Sequence, residues 1–209
     1  MGNIKAKHIH KSWLEMHGEF TSDHLEFSLS LMKSLVENGP INLADFSEKV
    51  SIPMRRLKKL LQKRPYTNFN EDRLMIQHSF VHAEQSPVTL IDDNYTYYAN
   101  SAWESLCLSE LFDTKMDLKA NCAISGKEIT IKVTPLGYET LLDEVFVSFK
   151  DLLNFNTGDL SSIRDWSVFI LGTESAEKYV EENEGMILLP LSIAYQSSRD
   201  CATDLYQLD

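Results

Sequence analysis

Apolar residues recur at helical spacing over Thr21–Asn38, where Leu25, Leu29, Met32 and Val36 form one stripe. Thr21, Ser22 and Asp23 offer N-caps, and Gly39-Pro40 stops the helix. A shorter helix follows over Leu43–Val50. The turn Ser51-Ile52-Pro53 leads to a third, Met54–Lys63, with Leu57, Leu60 and Leu61 on its inner face and Arg64-Pro65 at its end. Tyr66–Phe80, with polar Asn70-Glu71-Asp72 in the middle, predicts a β-hairpin. Beyond Gln85-Ser86-Pro87 the pattern shortens: Val88–Ile91 and Tyr95–Tyr98 read as strands joined through Asp92-Asp93-Asn94, and Ala99–Phe112 as a helix. Asp117–Ile124 and Glu128–Thr134 alternate apolar and polar residues around Ser125-Gly126, a hairpin signal. Val145–Phe149 and Trp166–Leu171 are further strand candidates, Ser175–Glu184 a helix closed by Gly185, and a last helix begins near Pro190.

These elements predict an α+β protein of two domains. Residues 1–84 form a helical domain with the order of a winged helix-turn-helix, and residues 85–209 a domain of antiparallel and mixed strands flanked by helices.

The 209 residues are 43% hydrophobic and 24% charged, enough apolar content for a core and far from a disordered composition. No run approaches the ~18 apolar residues that a spanning helix needs, and no apolar signal region follows Met1-Gly2-Asn3-Ile4-Lys5-Ala6, which predicts a cytoplasmic protein with no membrane partner. Cys107, Cys122 and Cys201 are widely spaced and contain no CxxC pair, against a disulfide framework or structural zinc. Charge is uneven: residues 1–84 carry 12 basic against 10 acidic side chains, net +2, and residues 85–209 carry 8 against 21, net −13. The acidic part is unsuited to nucleic acid or an anionic membrane surface.

The run Cys122-Ala123-Ile124-Ser125-Gly126-Lys127-Glu128-Ile129-Thr130-Ile131-Lys132-Val133-Thr134-Pro135 resembles the Cys-Ala-x-x-Gly…Val-x-Pro hairpin of the organomercurial (alkylmercury) lyases. Upstream, Ile91-Asp92-Asp93 and Tyr98-Ala99-Asn100-Ser101-Ala102-Trp103-Glu104 resemble the family segment that holds its first catalytic cysteine and its catalytic aspartate, and downstream Ser175-Ala176-Glu177 falls where the family has a similar helix. The resemblance covers about residues 85–200 and implies an alkylmercury-lyase-like C-terminal domain. In that family two cysteine thiolates hold the organomercurial and an aspartate delivers the proton that cleaves the carbon–mercury bond; soft thiolates suit a soft metal and a positioned carboxyl suits acid catalysis. Carried onto this sequence, the first cysteine position is Ser101, the aspartate is Glu104 and the second cysteine is Arg164, with Asp165 beside it. The family's structural cysteine corresponds to Cys122.

A serine hydroxyl is a hard ligand and arginine has no lone pair to offer, so the replacements speak against classical lyase activity. In a helix over Ala99–Phe112, Ser101, Glu104 and Ser105 share one face while Trp103, Leu106 and Cys107 face elsewhere, and the resemblance brings Arg164 against that face. Glu104 as acid or base, Ser101 as hydrogen-bonding group and Arg164 as anion clamp, next to Asp165, would suit a pocket that binds or transforms a small polar or anionic organic molecule. An ordinary Glu104–Arg164 ion pair in place of a lost site is the structural alternative.

Two other readings remain. Arg55, Arg56, Lys58, Lys59, Lys63 and Arg64 lie within eleven positions without an acid, on the helix that would enter a major groove, which points to a DNA-binding regulator. A metal-responsive binding protein would keep the fold without the lyase step. The pairs His8-x-His10 and His78-x-x-x-His82 lack a nearby cysteine and read, like His17 and His24, as surface or terminal histidines. Tyr95, Tyr97, Tyr98 and Trp103 read as core. With no Gly-rich phosphate loop, HExxH or nucleophile elbow, the sequence predicts no cofactor and no resident metal.

Overall fold

The computed structural model describes residues 22–62, 67–78, 80–150 and 166–206. Helix α1 (Ser22–Asn38) is followed by α2 (Leu43–Lys49) and α3 (Met54–Gln62). Its buried stripe is Leu25, Ser28, Leu31, Met32 and Leu35, rotated from the expected one, since Leu29 and Val36 are only half-buried. Gly39 ends α1 at φ +73°, its N–H donating to the Leu35 carbonyl at 3.0 Å, a left-handed closure that glycine accepts without strain. Asn42 caps α2, accepting from the Ala44 N–H at 2.8 Å, and Phe46 of α2 meets Phe27 of α1 edge to face at 6.1 Å. On α3, Leu57 and Leu61 are buried while Arg55, Arg56, Lys58 and Lys59 are exposed.

The expected hairpin is present as β1 (Thr67–Phe69) and β2 (Met75–His78), turned by Asn70, whose side chain accepts from the Leu74 N–H at 2.9 Å. It does not stand alone. A two-residue strand β3 (Val81–His82) pairs β2 to β5 (Thr96–Ala99), so that β1-β2-β3-β5-β4-β6-β7-β8 form one eight-stranded sheet, with β4 at Val88–Ile91, β6 at Met116–Asn121, β7 at Glu128–Thr134 and β8 at Gly137–Glu139. The sheet thus runs without a break across residue 84. A second sheet has the order β10-β9-β11, from β9 (Val145–Lys150), β10 (Phe169–Leu171) and β11 (Met186–Pro190). Every ladder among the described residues is antiparallel, and the mixed pairing expected beside it is not among them. Neighbouring strands are mostly joined by tight turns, which cannot make the long crossover that parallel strands need.

The β6–β7 hairpin forms as its alternation dictates: Leu118, Ile129, Ile131 and Val133 point into the core, and Gly126 takes φ +68° at the turn. Its tip ties the sheets together, because the Ala123 N–H donates to the Phe169 carbonyl at 3.0 Å and the Leu171 N–H to the Cys122 thiol at 3.3 Å. The strand expected over Trp166–Leu171 is confined to Phe169–Leu171, and β3, β8 and β11 were not foreseen.

The segment Ala99–Phe112 departs most from its expected form. It holds two single-turn helices, α4 (Ala102–Ser105) and α5 (Leu108–Leu111), instead of one. Ser101 is extended at φ −135°, and between the two turns the N–H of Leu106 reaches back only to Trp103 and that of Cys107 only to Glu104. All residues from Ala99 to Ser109 are buried, so no polar face marks a helical period. Helices α6 (Thr173–Glu182) and α7 (Leu191–Tyr206) complete the chain, α7 packing on α4, α5, β9 and β11. Among the described residues no helix is long and apolar enough to cross a membrane.

Candidate active site

Ser101 and Glu104 come together at the start of α4. The Glu104 N–H donates to Ser101 Oγ at 3.1 Å, and the Ser101 hydroxyl donates to Glu104 Oε2 at 2.9 Å. Locally this is an N-cap with an acidic residue in the first turn, the pattern that starts many helices. Its surroundings are unlike those of an ordinary cap: each residue is 1% exposed, whereas a capping carboxylate usually stands in water. Ser105, expected on the same face, donates to the Ala102 carbonyl at 2.6 Å.

Three segments hold the pair in place. The Ser167 carbonyl accepts from the Ala102 N–H at 2.9 Å and the Ser167 hydroxyl from the Trp103 N–H at 3.2 Å, so the orphan donors of this short turn are met by a residue 64 positions away. From α7, the Ser198 hydroxyl donates to the Trp103 carbonyl at 2.7 Å. Trp103, fully buried, meets Phe149 of β9 edge to face at 6.0 Å. Neither Ser167 nor Ser198 was nominated from sequence. Ser167 is a lone serine beside an apolar run and Ser198 lies in the polar stretch Gln196-Ser197-Ser198-Arg199-Asp200, and only the fold shows what each touches.

The cysteines have different surroundings. The Cys107 thiol lies beside the pair, donating to the Glu104 carbonyl at 3.1 Å; burial, together with the nearby Glu104 charge, pushes it up to about 12 from an ordinary value of 9.0. Cys201, also fully buried, is pushed well up, chiefly by burial and also by Cys107. At neutral pH both are neutral thiols, poor metal ligands and weak nucleophiles. Burial also works to raise Cys122, but hydrogen bonds from Ser125 and from the backbone of Leu171 and Ile124 outweigh it and hold this thiol below its ordinary value. The bond from the Leu171 N–H to the Cys122 thiol fastens the hairpin tip to β10.

Arg164 and Asp165 lie outside the described residues, as do Lys63, Arg64, His8, His10 and His17. The expectation of surface histidines is overturned at two positions. His78 is fully buried, its Nε2 3.1 Å from the Ser28 hydroxyl of α1, and His82 is 6% exposed with Nδ1 at the Glu84 backbone. Both belong to inner strands of the eight-stranded sheet; α1 covers the face that carries His78, whereas His82 stands opposite Gln77 on the other face. Of the four aromatics read as core, Trp103 and Tyr97 are buried, Tyr98 is half-buried and Tyr95 is 40% exposed. No group of three His, Cys, Asp or Glu among the described residues is placed to hold a metal ion.

No protein-family model and no curated protein matches the chain. Among solved structures it is similar to the mercury-bound form of MerB2, with a TM-score of 0.78 over 94% of this chain and 98% of that one, at 14% identity. The α+β architecture of this chain is therefore a MerB-like fold.

Proposed function

We propose that this chain is an alkylmercury-lyase-like protein whose altered pocket binds or transforms a small polar or anionic organic molecule, in place of cleaving a carbon–mercury bond. The observation that carries the reading is the Ser101–Glu104 pair, hydrogen-bonded at 2.9 Å and withdrawn from water. The register that matches these two residues to a cysteine and an aspartate is implied by the resemblance of Tyr98–Glu104 and of the hairpin from Cys122 to Pro135, and the MerB-like fold supports the reading without fixing that register. A hydroxyl that donates to a carboxyl in an interior of low effective dielectric is a fixed dipole beside a proton-transfer group. It is not a mercury ligand, and the thiol of Cys107 beside it, like that of Cys201, is held in its neutral form.

In this reading Glu104 takes or gives a proton, Ser101 orients its carboxyl and the substrate, Arg164 grips an anionic group in two-pronged fashion, and Asp165 stands next to that clamp. Thermal unfolding of the whole chain with pyruvate, succinate, 2-oxoglutarate and citrate tests it. A ligand at a hundredfold excess over its Kd stabilises by about 2.7 kcal/mol, or roughly 5–11 °C for a chain of this size. The parent protein is expected to shift with at least one carboxylate, and Glu104→Gln and Arg164→Ala to lose that shift. A shift retained by both variants contradicts the reading.

A further inference from the structure

An open cleft of about 600 Å³ lies between α1, the β4–β5 turn and the segment that follows α5, apart from the Ser101–Glu104 pair. Its apolar lining includes Leu29, Val36 and Leu111, with the rings of Tyr97 and Phe112 at 5.0 Å between centroids. Tyr95 adds a ring that is 40% exposed. Four carboxylates, Glu26, Glu37, Asp92 and Asp113, line the same cleft against one cation, Lys33, which lies 3.9 Å from Glu37. The balance is three negative charges beside three aromatic rings.

The β4–β5 turn is fixed. Asp92 Oδ1 accepts from the N–H groups of Asn94 at 2.7 Å and Tyr95 at 2.6 Å, and Oδ2 accepts from the Tyr97 hydroxyl at 2.7 Å. The Asp92 carboxylate, the Tyr95 backbone and the Tyr97 ring are thus set in place before any ligand arrives. Since no three acidic groups are placed to share one metal ion, the negative charge is spread around the cleft. Spread charge suits a ligand that is itself extended, and aromatic faces attract ammonium groups.

We propose that this cleft binds an aliphatic ammonium ion carrying two or more positive charges, its ammonium groups set against Glu26, Asp92 and Asp113 and its methylene chain against Tyr95, Tyr97 and Phe112. The assignment goes beyond the chemistry given to Ser101 and Glu104 and does not depend on it. The cleft volume is that of a small-molecule site, and charges of both partners near the surface make the binding salt-sensitive.

Titration calorimetry of the whole chain with spermidine tests the proposal. Saturable one-site binding is expected at ~20 mM salt and weaker binding at ~300 mM. Tyr95→Ala is expected to weaken it about fivefold or more and Tyr95→Phe to leave it within about twofold, because the ring carries the attraction. Glu26→Gln with Asp113→Asn is expected to weaken it about tenfold. Each variant alters an exposed side chain, and an unchanged unfolding temperature confirms that the fold is kept. Absence of saturable binding overturns the proposal, as does affinity that survives both the Tyr95→Ala and the double variant. Displacement by magnesium beyond that caused by sodium at equal ionic strength assigns the charge to metal ions and overturns it too. Binding of a penta-lysine peptide without binding of spermidine moves the surface to a protein partner, with the same consequence.

Discussion

Acidic side chains are used in two opposite ways in this molecule. Glu104 is 1% exposed, joined to Ser101 and walled by Trp103 and by the serines of the β10 and α7 segments, whereas Glu26, Glu37, Asp92 and Asp113 face an open cleft. In the interior a charge or dipole acts through a low effective dielectric, so one well-placed hydroxyl changes what a carboxyl does. In the cleft each charge is screened by water and salt, and recognition needs several together with apolar rings. The first arrangement suits a chemical step on a small ligand and the second suits capture of a cation. The contrast also explains why sensitivity to substitution should fall steeply from one region to the other.

The largest effect is expected at the wall of the interior pair. Trp103→Ala should cost about 3–5 kcal/mol in urea-induced unfolding, since it removes a fully buried ring in contact with Phe149 and leaves a cavity. A loss under 1 kcal/mol would show that the interior is loosely packed and that the contrast is drawn too sharply. Ser101→Ala should cost about 1–2 kcal/mol, the size of a lost N-cap, and Ser101→Thr, which keeps the hydroxyl, clearly less.

Alkali separates the regions in another way. The Cys107 thiol is raised in the folded protein relative to the unfolded chain, so its contribution to stability is complete below about pH 9 and is lost as pH rises toward 12. Unfolding free energies measured across that interval should fall less steeply in Cys107→Ala than in the parent. In the cleft the sign is reversed. Burial works to raise Asp92, but the Tyr97 hydroxyl and the Asn94 and Tyr95 N–H groups outweigh it and hold the carboxyl below its ordinary 3.8. Its contribution is present above about pH 4 and lost as pH falls through the lowered value, and Tyr97→Phe should reduce stability near neutrality by about 1–2 kcal/mol while flattening that acid limb. Glu26→Gln should change stability by less than about 0.5 kcal/mol, which an unfolding curve at neutral pH checks.

What was legible in the sequence follows the same division between local and distant causes. The hairpin from Met116 to Thr134 could be read because alternation and Ser125-Gly126 specify it within twenty residues, and α3 because Leu57 and Leu61 lie one turn apart. Ser101 and Glu104 were nominated from a resemblance, and the structure brings them into contact through a three-residue cap that the sequence itself contains. The break in Ala99–Phe112 was hidden, since a segment buried on every side shows no period. His78 read as a surface residue because its partner Ser28 is fifty positions away, and β3, only two residues long, carries no pattern at all. The cleft escaped notice for the same reason: its residues come from 26–37, 92–97 and 111–114, three stretches with no motif among them.

Release of methane from methylmercury by the purified chain, followed with excess thiol present, bears most directly on the idea that this fold carries a chemistry other than mercury–carbon cleavage. No release above the protein-free rate is expected, because Ser101 offers no soft ligand and Cys107 is held as a neutral thiol. Methane evolved by the parent protein and abolished by Glu104→Gln would contradict it.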